Sequence, residues 1–289
     1  MNSMNKREAQ LILNELGIIP NKRLGQNFLI DKTIVKKIIF ESQISEDEVI
    51  LEIGPGLGAL TEELLKFSKK VYAYEIDDKL FQYLKEKFSQ NENIEVINED
   101  ILKANIPPNN IIVSNIPYSI TGPIFEKVFY NEKPPRGVLV IENSIAERIF
   151  VQNKYKVFSR ITVSFNAFMI PVKKYNISRF KFFPAPRIDL SLIIVKPREK
   201  INPFLLSDKN KSFFLRFIAG IMPYKNKNIV NAIYLFLKNE KVINFPKPKI
   251  LQYLKNKNIN NEKVTKFKVD ELVQLSQLIF ELIQETLPI

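Results

Sequence analysis

The sequence predicts an α/β protein, a mostly parallel sheet with antiparallel edge strands, followed by a small α-helical C-terminal domain. Three observations carry this. Short β-branched runs alternate with amphipathic stretches over the first two-thirds of the chain. That alternation stops near Pro197, and helical patterns replace it. At 289 residues and 45% hydrophobic content, the chain can fill one large core and a smaller one.

The elements follow in order. MNSMNKREAQLILNEL mixes charged and apolar residues as an amphipathic helix does, and lacks the apolar block of a signal peptide. VILEIG (49–54), KVYAYEI (70–76), NIEVIN (93–98), NIIVSN (110–115) and RGVLVIE (136–142) read as strands. GALTEELLKFS and DKLFQYLKEKF lie between them with Leu, Phe and Tyr at helical spacing. Such β-α alternation implies parallel pairing with helices on both faces. RITVSFNAFMI (160–170) and DLSLIIVKP (189–197) are expected to form an antiparallel hairpin at the sheet edge. FFLRFIAGI, NIVNAIYLFLKN, PKILQYLKN and DELVQLSQLIFELIQE then read as amphipathic helices. The expected domains are therefore 1–199 and 200–289.

Composition excludes much chemistry. There is no Cys, hence no thiolate nucleophile, disulfide or cysteine metal site, and no His, hence no imidazole base or ligand. No metal site is expected. The net charge is +12, and residues 200–268 alone carry 15 basic and 3 acidic side chains. A segment that basic suits a polyanion, although a Lys-rich composition would produce part of the same excess. No apolar run reaches the ~18 residues of a membrane helix, so a soluble, cytoplasmic protein is expected.

The first candidate site is LEIGPGLGALT (51–61), a glycine loop between a strand and a helix. Its glycines allow a tight turn and close backbone approach to a ligand. Glu75 ends the next strand, where a carboxylate can accept both ribose hydroxyls, and Asp100 ends the third. The dinucleotide pattern G-x-G-x-x-G competes, but its third position is Ala59 here. Glu52, just ahead of the loop, is an acid suited to a cationic ligand. Acid-x-Gly-x-Gly-x-Gly with Glu75 and Asp100 resembles the S-adenosylmethionine pocket of Rossmann-like methyltransferases. Taken singly, Glu52 and Asp100 could equally be helix-cap or surface acids.

The second candidate site is Asn115-Ile116-Pro117-Tyr118, at the tip of the fourth strand and so facing the same crevice. An exocyclic amine on a nucleobase is a poor nucleophile because its lone pair is delocalised into the ring. Acceptors on its two hydrogens, the Asn115 amide oxygen and a backbone carbonyl such as that of Ile116, would localise that pair toward a donor methyl. Pro117 fixes the turn, and Tyr118 offers a face on which a planar base can stack.

Four stretches, KRLGQNFLID (22–31), LEIGPGLGALT (51–61), SNIPYSITGPI (114–124) and FKFFPAPRIDLSLI (180–193), together resemble the ribosomal RNA adenine N6-dimethyltransferase family. The resemblance is to its bacterial small-subunit branch. It implies a Rossmann-like class I methyltransferase domain with S-adenosylmethionine as cofactor. The activity it implies is dimethylation at N6 of two adjacent adenosines in a loop near the 3′ end of 16S rRNA, within an immature small ribosomal subunit.

By position, the resemblance implies that Gln26, Asn27, Phe28 and Leu29 cover the cofactor, with Gly54 and Gly56 beneath its methionine part. Glu75 would bind ribose, and Asp100 with Ile101 beside it would hold the cofactor adenine. Ile76 would be a further cofactor-binding residue, and Asn115 would stand between cofactor and target base. Phe182 would stack on that base opposite Tyr118, although Phe183 beside it leaves the choice of ring open. Leu190 stands where the family motif has Ser, and Ser191 follows. The neighbouring alternative is a 23S rRNA adenine dimethyltransferase of the macrolide-resistance type. A second alternative is a ribosome-assembly factor in which transfer is secondary. The expected molecule is a monomer with no membrane or DNA partner.

Overall fold

The computed structural model describes residues 4–21, 24–151, 158–241 and 245–286. The chain divides into two compact units, Met1–Glu147 with Met169–Pro197, and Arg148–Phe168 with Arg198–Ile289. A sequence-only division at residue 200 assigns 148–168 to the first domain; the structure groups that segment with the helical unit.

The first unit begins with α1 (Lys6–Glu15), β1 (Phe28–Leu29), α2 (Lys32–Ser42), β2 (Val49–Ile53) and α3 (Ala59–Leu64). It continues through β3 (Lys70–Tyr74), α4 (Asp78–Lys87), β4 (Ile94–Ile97), β5 (Ile111–Asn115), α5 (Thr121–Phe129) and β6 (Arg136–Glu142). β7 (Met169–Ile177), β8 (Phe182–Phe183) and β9 (Leu190–Pro197) complete it. Local chemistry sets the helix starts. Asn5 caps α1 in a reciprocal box with Glu8, and Asp31 and Asp77 accept backbone N–H groups at the starts of α2 and α4. Such caps each contribute ~1 kcal/mol.

Seven strands form one sheet in the order β4-β3-β2-β5-β6-β9-β7, parallel from β4 through β6 and antiparallel at β9 and β7. β2, β5 and β6 are almost wholly buried, as parallel strands with helices on both faces must be. The chain runs outward from β2 to β4 and then returns to β5 on the other side of β2. The crevice at that reversal, outside the carboxyl ends of β2 and β5, is where such sheets bind ligands.

The expected strand at 160–170 is not one. Residues Arg160–Asn166 form helix α7, which follows α6 (Asn143–Ile149), and the edge strand is β7. Ser159 sets that outcome through a reciprocal cap with Thr162, which a reading of β-branched content alone overlooks. β7 carries Pro171, Lys173 and Lys174, and Pro and Lys on an edge strand block pairing with another chain.

The second unit packs α7 with α8 (Asp208–Ile221), α9 (Ile229–Asn239), α10 (Lys247–Asn256) and α11 (Val269–Thr286). Its centre is aromatic: Phe217 meets Phe236 edge-on at 5.2 Å and Phe213 lies 5.0 Å from Phe280. Arg198 holds Asp270 at the start of α11 through two N–H···O bonds of 2.5 and 2.9 Å. Among the described residues, no helix is long and apolar enough to cross a membrane.

Candidate active site

The loop after β2 carries three glycines in the left-handed region, Gly54, Gly56 and Gly58, with φ of 67°, 59° and 77°. At Gly56 there is also no room, because a Cβ there would lie 2.8 Å from the Phe28 ring. Glu75 braces this loop: its carboxylate accepts from Gly56 N at 3.2 Å and from Asp77 N at 3.0 Å. Burial pushes the Glu75 carboxyl up, and the backbone bonds oppose that shift.

Glu52 is 2% exposed and accepts from the Thr61 hydroxyl at 2.7 Å. Burial, reinforced by the nearby Glu75 charge, pushes its pKa up to about 8, against the pull of Thr61 and Lys87. Its environment therefore favours the neutral acid unless a cation arrives beside it. Asp100 opens the turn after β4, accepting from Leu102 N at 3.0 Å, with Ile101 buried behind it.

The segment 24–31 lies over this loop. Gln26 donates to Asp77 Oδ2 at 2.9 Å and accepts from Asn21 N at 2.8 Å. Asn27 donates to Gly25 O at 3.1 Å, and its own carbonyl accepts from Asn115 Nδ2 at 3.1 Å. β1 pairs with β8 in a separate two-stranded ladder, Phe28 opposite Phe183 and Leu29 opposite Phe182. Ile30 N donates to Lys181 O at 3.1 Å, and Lys181 reaches Asp31 at 2.6 Å. Lys22 and Arg23 of the same motif lie outside the described residues.

Gln26, Asn27, Leu29, Glu52, Gly54, Gly56, Glu75, Ile76, Asp100, Ile101, Asn115 and Pro117 all line one cavity, about 890 Å³ including its open mouth. The cavity has features that suit a cationic nucleoside cofactor such as S-adenosylmethionine. They are a buried acid, a second acid at the end of β3, a glycine floor and an exposed apolar platform, Ile76, at 51% exposure. Tyr74, Leu80, Glu99 and Ile120 also line it, and a reading of motifs misses them. Asp77 is missed too, although its place two residues after Glu75 at a helix start was a usable signal.

Tyr118 and Phe182 do not line this cavity. The Tyr118 hydroxyl donates to Asn115 Oδ1 at 3.4 Å, and burial raises its pKa. Phe182 is 2% exposed and sits in the core with Leu29, Ile177, Leu190 and Leu192, where Tyr118 packs against the same cluster. Phe183 faces a different cluster, around Phe28 and Leu13. The two rings therefore do not form an open clamp: the ladder with β1 turns Phe182 inward. Ser191, beside the substituted Leu190, donates to Asn143 Oδ1 at 2.7 Å.

A buried acid, a glycine loop and a strand-tip amide at the reversal of a parallel sheet define a class I, Rossmann-like methyltransferase. A family description, ribosomal RNA adenine dimethylase, matches residues 19–276. A ribosomal RNA small subunit methyltransferase A from Thermotoga maritima is 37% identical over 226 residues, 78% of either chain. Among solved structures, a dimethyladenosine transferase from Plasmodium falciparum superposes with a TM-score of 0.72 at 23% identity, over 90% of this chain and 98% of that one. The 23S rRNA methyltransferase ErmE superposes with a TM-score of 0.62 at 25% identity, over 88% of this chain and all of its own 100%. The chain belongs to the ribosomal RNA adenine dimethylase family.

Proposed function

We propose that this chain dimethylates N6 of two adjacent adenosines in a loop near the 3′ end of 16S rRNA, in an immature small ribosomal subunit, with S-adenosylmethionine as donor. One observation carries the proposal: the Asn115 amide stands at the carboxyl tip of β5, on the rim of the cavity that holds Glu52 and Glu75. The greater similarity to the small-subunit relative favours 16S over 23S rRNA.

When bound, the cofactor supplies an electrophilic sulfonium methyl. Glu52 would face its positive charge, Glu75 would hold its ribose with Ile76 beside it, and Asp100 with Ile101 would hold its adenine. Gln26, Asn27 and Leu29 would cover it. The target amine replaces the Tyr118 hydroxyl as donor to Asn115 Oδ1, while the Ile116 carbonyl takes its second hydrogen. Ile116 is fixed for this by its N–H bond to Val140 O at 3.0 Å. Placement does most of the work, and well-oriented reactants can gain ~7–11 kcal/mol in this way. To stack on the base Tyr118 would have to leave its contact with Asn115, and Phe182 would back it from the core. Once methylated, the amine nitrogen would carry a positive charge and release a proton to water, so the protein needs no strong base, in keeping with a chain that has no His.

The basic second unit provides the RNA-docking surface in this reading. Mass mapping of methylated adenosines after incubation with S-adenosylmethionine and small-subunit particles tests the whole proposal. Dimethyladenosine at a 16S loop supports it. Modification confined to 23S rRNA shifts it to the macrolide-resistance type, and binding to particles without any transfer favours an assembly factor.

A further inference from the structure

Phe180 is 71% exposed, one of the most open large apolar side chains of the protein. A single exposed Phe is ordinary on a protein surface. Three features set this one apart.

Its backbone is held. Phe180 N donates to Ser178 Oγ at 3.4 Å, Lys181 N to Ser178 O at 3.0 Å, and Lys181 O accepts from Ile30 N. The Lys181–Asp31 pair pins the same turn to the start of α2. A ring on a turn anchored at both ends is presented to solvent, whereas one on a loose loop would fold back onto apolar surface.

It has a cation beside it. The Arg179 guanidinium lies 5.1 Å from the centre of the Phe180 ring, and Arg179 pairs with no carboxylate among the described residues. Lys181, on the other side, is already paired with Asp31, which leaves Arg179 as the cation beside the ring. An aromatic face next to a cation is the pattern that stacks a base and holds its phosphate.

Its turn lies at the end of the sheet where the site lies. Ile177 is in register with Leu190, which is in register with Glu142 at the carboxyl end of β6, the end at which Asn115 sits. Two residues beyond Phe180, Phe182 pairs with Leu29, which lines the cavity.

We propose that Phe180 is a stacking site for an unpaired nucleotide flanking the target adenosine, with Arg179 holding the adjacent phosphate. The inference rests on the reading that RNA is the substrate. It adds a second base-binding position outside the catalytic pocket.

The test uses the full chain and a small-subunit RNA hairpin carrying 2-aminopurine beside the target adenosine. Phe180→Ala should weaken RNA binding about 5- to 150-fold, the equivalent of ~1–3 kcal/mol per stacked base. It should also abolish the quenching of 2-aminopurine, with cofactor affinity and melting temperature unchanged. Phe180→Trp should restore binding and quenching, which an aliphatic Phe180→Leu should not. Wild-type turnover together with unaltered RNA affinity and quenching in Phe180→Ala overturns this proposal alone. A wild-type protein that methylates no RNA overturns the underlying reading, and this one with it.

Discussion

Asn115 is held from both ends: its Nδ2 donates to the Asn27 carbonyl at 3.1 Å, and its Oδ1 accepts from the Tyr118 hydroxyl at 3.4 Å. The residues involved are separated by 88 positions in one case and three in the other. The amide that would orient the substrate thus also closes the N-terminal segment over the cofactor cavity. Asn115→Ala should cut methyl transfer by about 10²–10³-fold, the scale found when one preorganised polar group is lost from a reacting centre. Asn115→Asp keeps acceptors but cannot donate to Asn27, so limited proteolysis should cut the segment around residues 21–27 faster than in the wild type. Equal cleavage rates would show that this bond does not hold the segment.

Glu52 predicts a pH dependence. In the folded chain its carboxyl keeps its proton up to about pH 8, whereas unfolding returns it to an ordinary 4.5. Between those values the native state binds more protons than the unfolded one, so stability falls as pH rises through that window. Glu75 is shifted in the same direction and adds to the slope. Glu52→Gln can still accept from Thr61, and it should flatten the decline of melting temperature between about pH 5 and 8. In the same variant, the affinity for S-adenosylmethionine should lose its rise with pH, measurable by calorimetry in buffers of different ionisation enthalpy. An unchanged slope would mean that Glu52 is ionised in the folded chain.

Gly56→Ala tests the glycine floor. The substitution combines a φ of 59° with a Cβ 2.8 Å from the Phe28 ring, so it strains the loop and pushes the covering segment outward. A loss of ~1–3 kcal/mol of stability is expected, with at least tenfold weaker cofactor binding. Gly122→Ala is the control, since nothing lies within 4 Å of its added Cβ. Thermal melts and cofactor titrations that did not distinguish the two would remove Gly56 from the site.

Among the lysines of the second unit, Lys227, Lys247 and Lys249 are exposed, whereas Lys225 is half-buried and donates to Phe158 O at 2.8 Å. Reversing the charge of the first three should weaken binding to ribosomal particles without lowering the melting temperature. The salt slope should also fall, by roughly 0.7–0.9 per lost phosphate contact. Lys225→Glu should lower the melting temperature as well, because it removes a structural bond. Undiminished binding by the triple variant would place the RNA surface elsewhere.

The sheet was largely legible because its strands are short continuous apolar runs bounded by Gly, Asn and Glu, the signature of parallel strands buried on both faces. The cofactor cavity was legible for the same reason, since parallel strands deliver their carboxyl ends to one crevice. Residues 160–166 were not, because Ser159 and Thr162 make a cap whose effect outweighs the β-branched content that follows. Nor was the inward turn of Phe182. It depends on pairing with Leu29, more than 150 positions away, and no local pattern encodes that partnership. Asp77 belongs between these cases: its role as a helix cap is local, while its bond to Gln26 is not.

The ladder between Phe28–Leu29 and Phe182–Phe183 is two residues long, the smaller of the two sheets among the described residues. Short ladders open locally at far lower cost than the whole domain unfolds. Its amides should therefore trade hydrogen for deuterium many times faster than those of β2 or β5, and should slow once the cavity beneath is filled. The ladder is in that sense a built-in gauge of occupancy, readable by mass spectrometry without any RNA or any turnover.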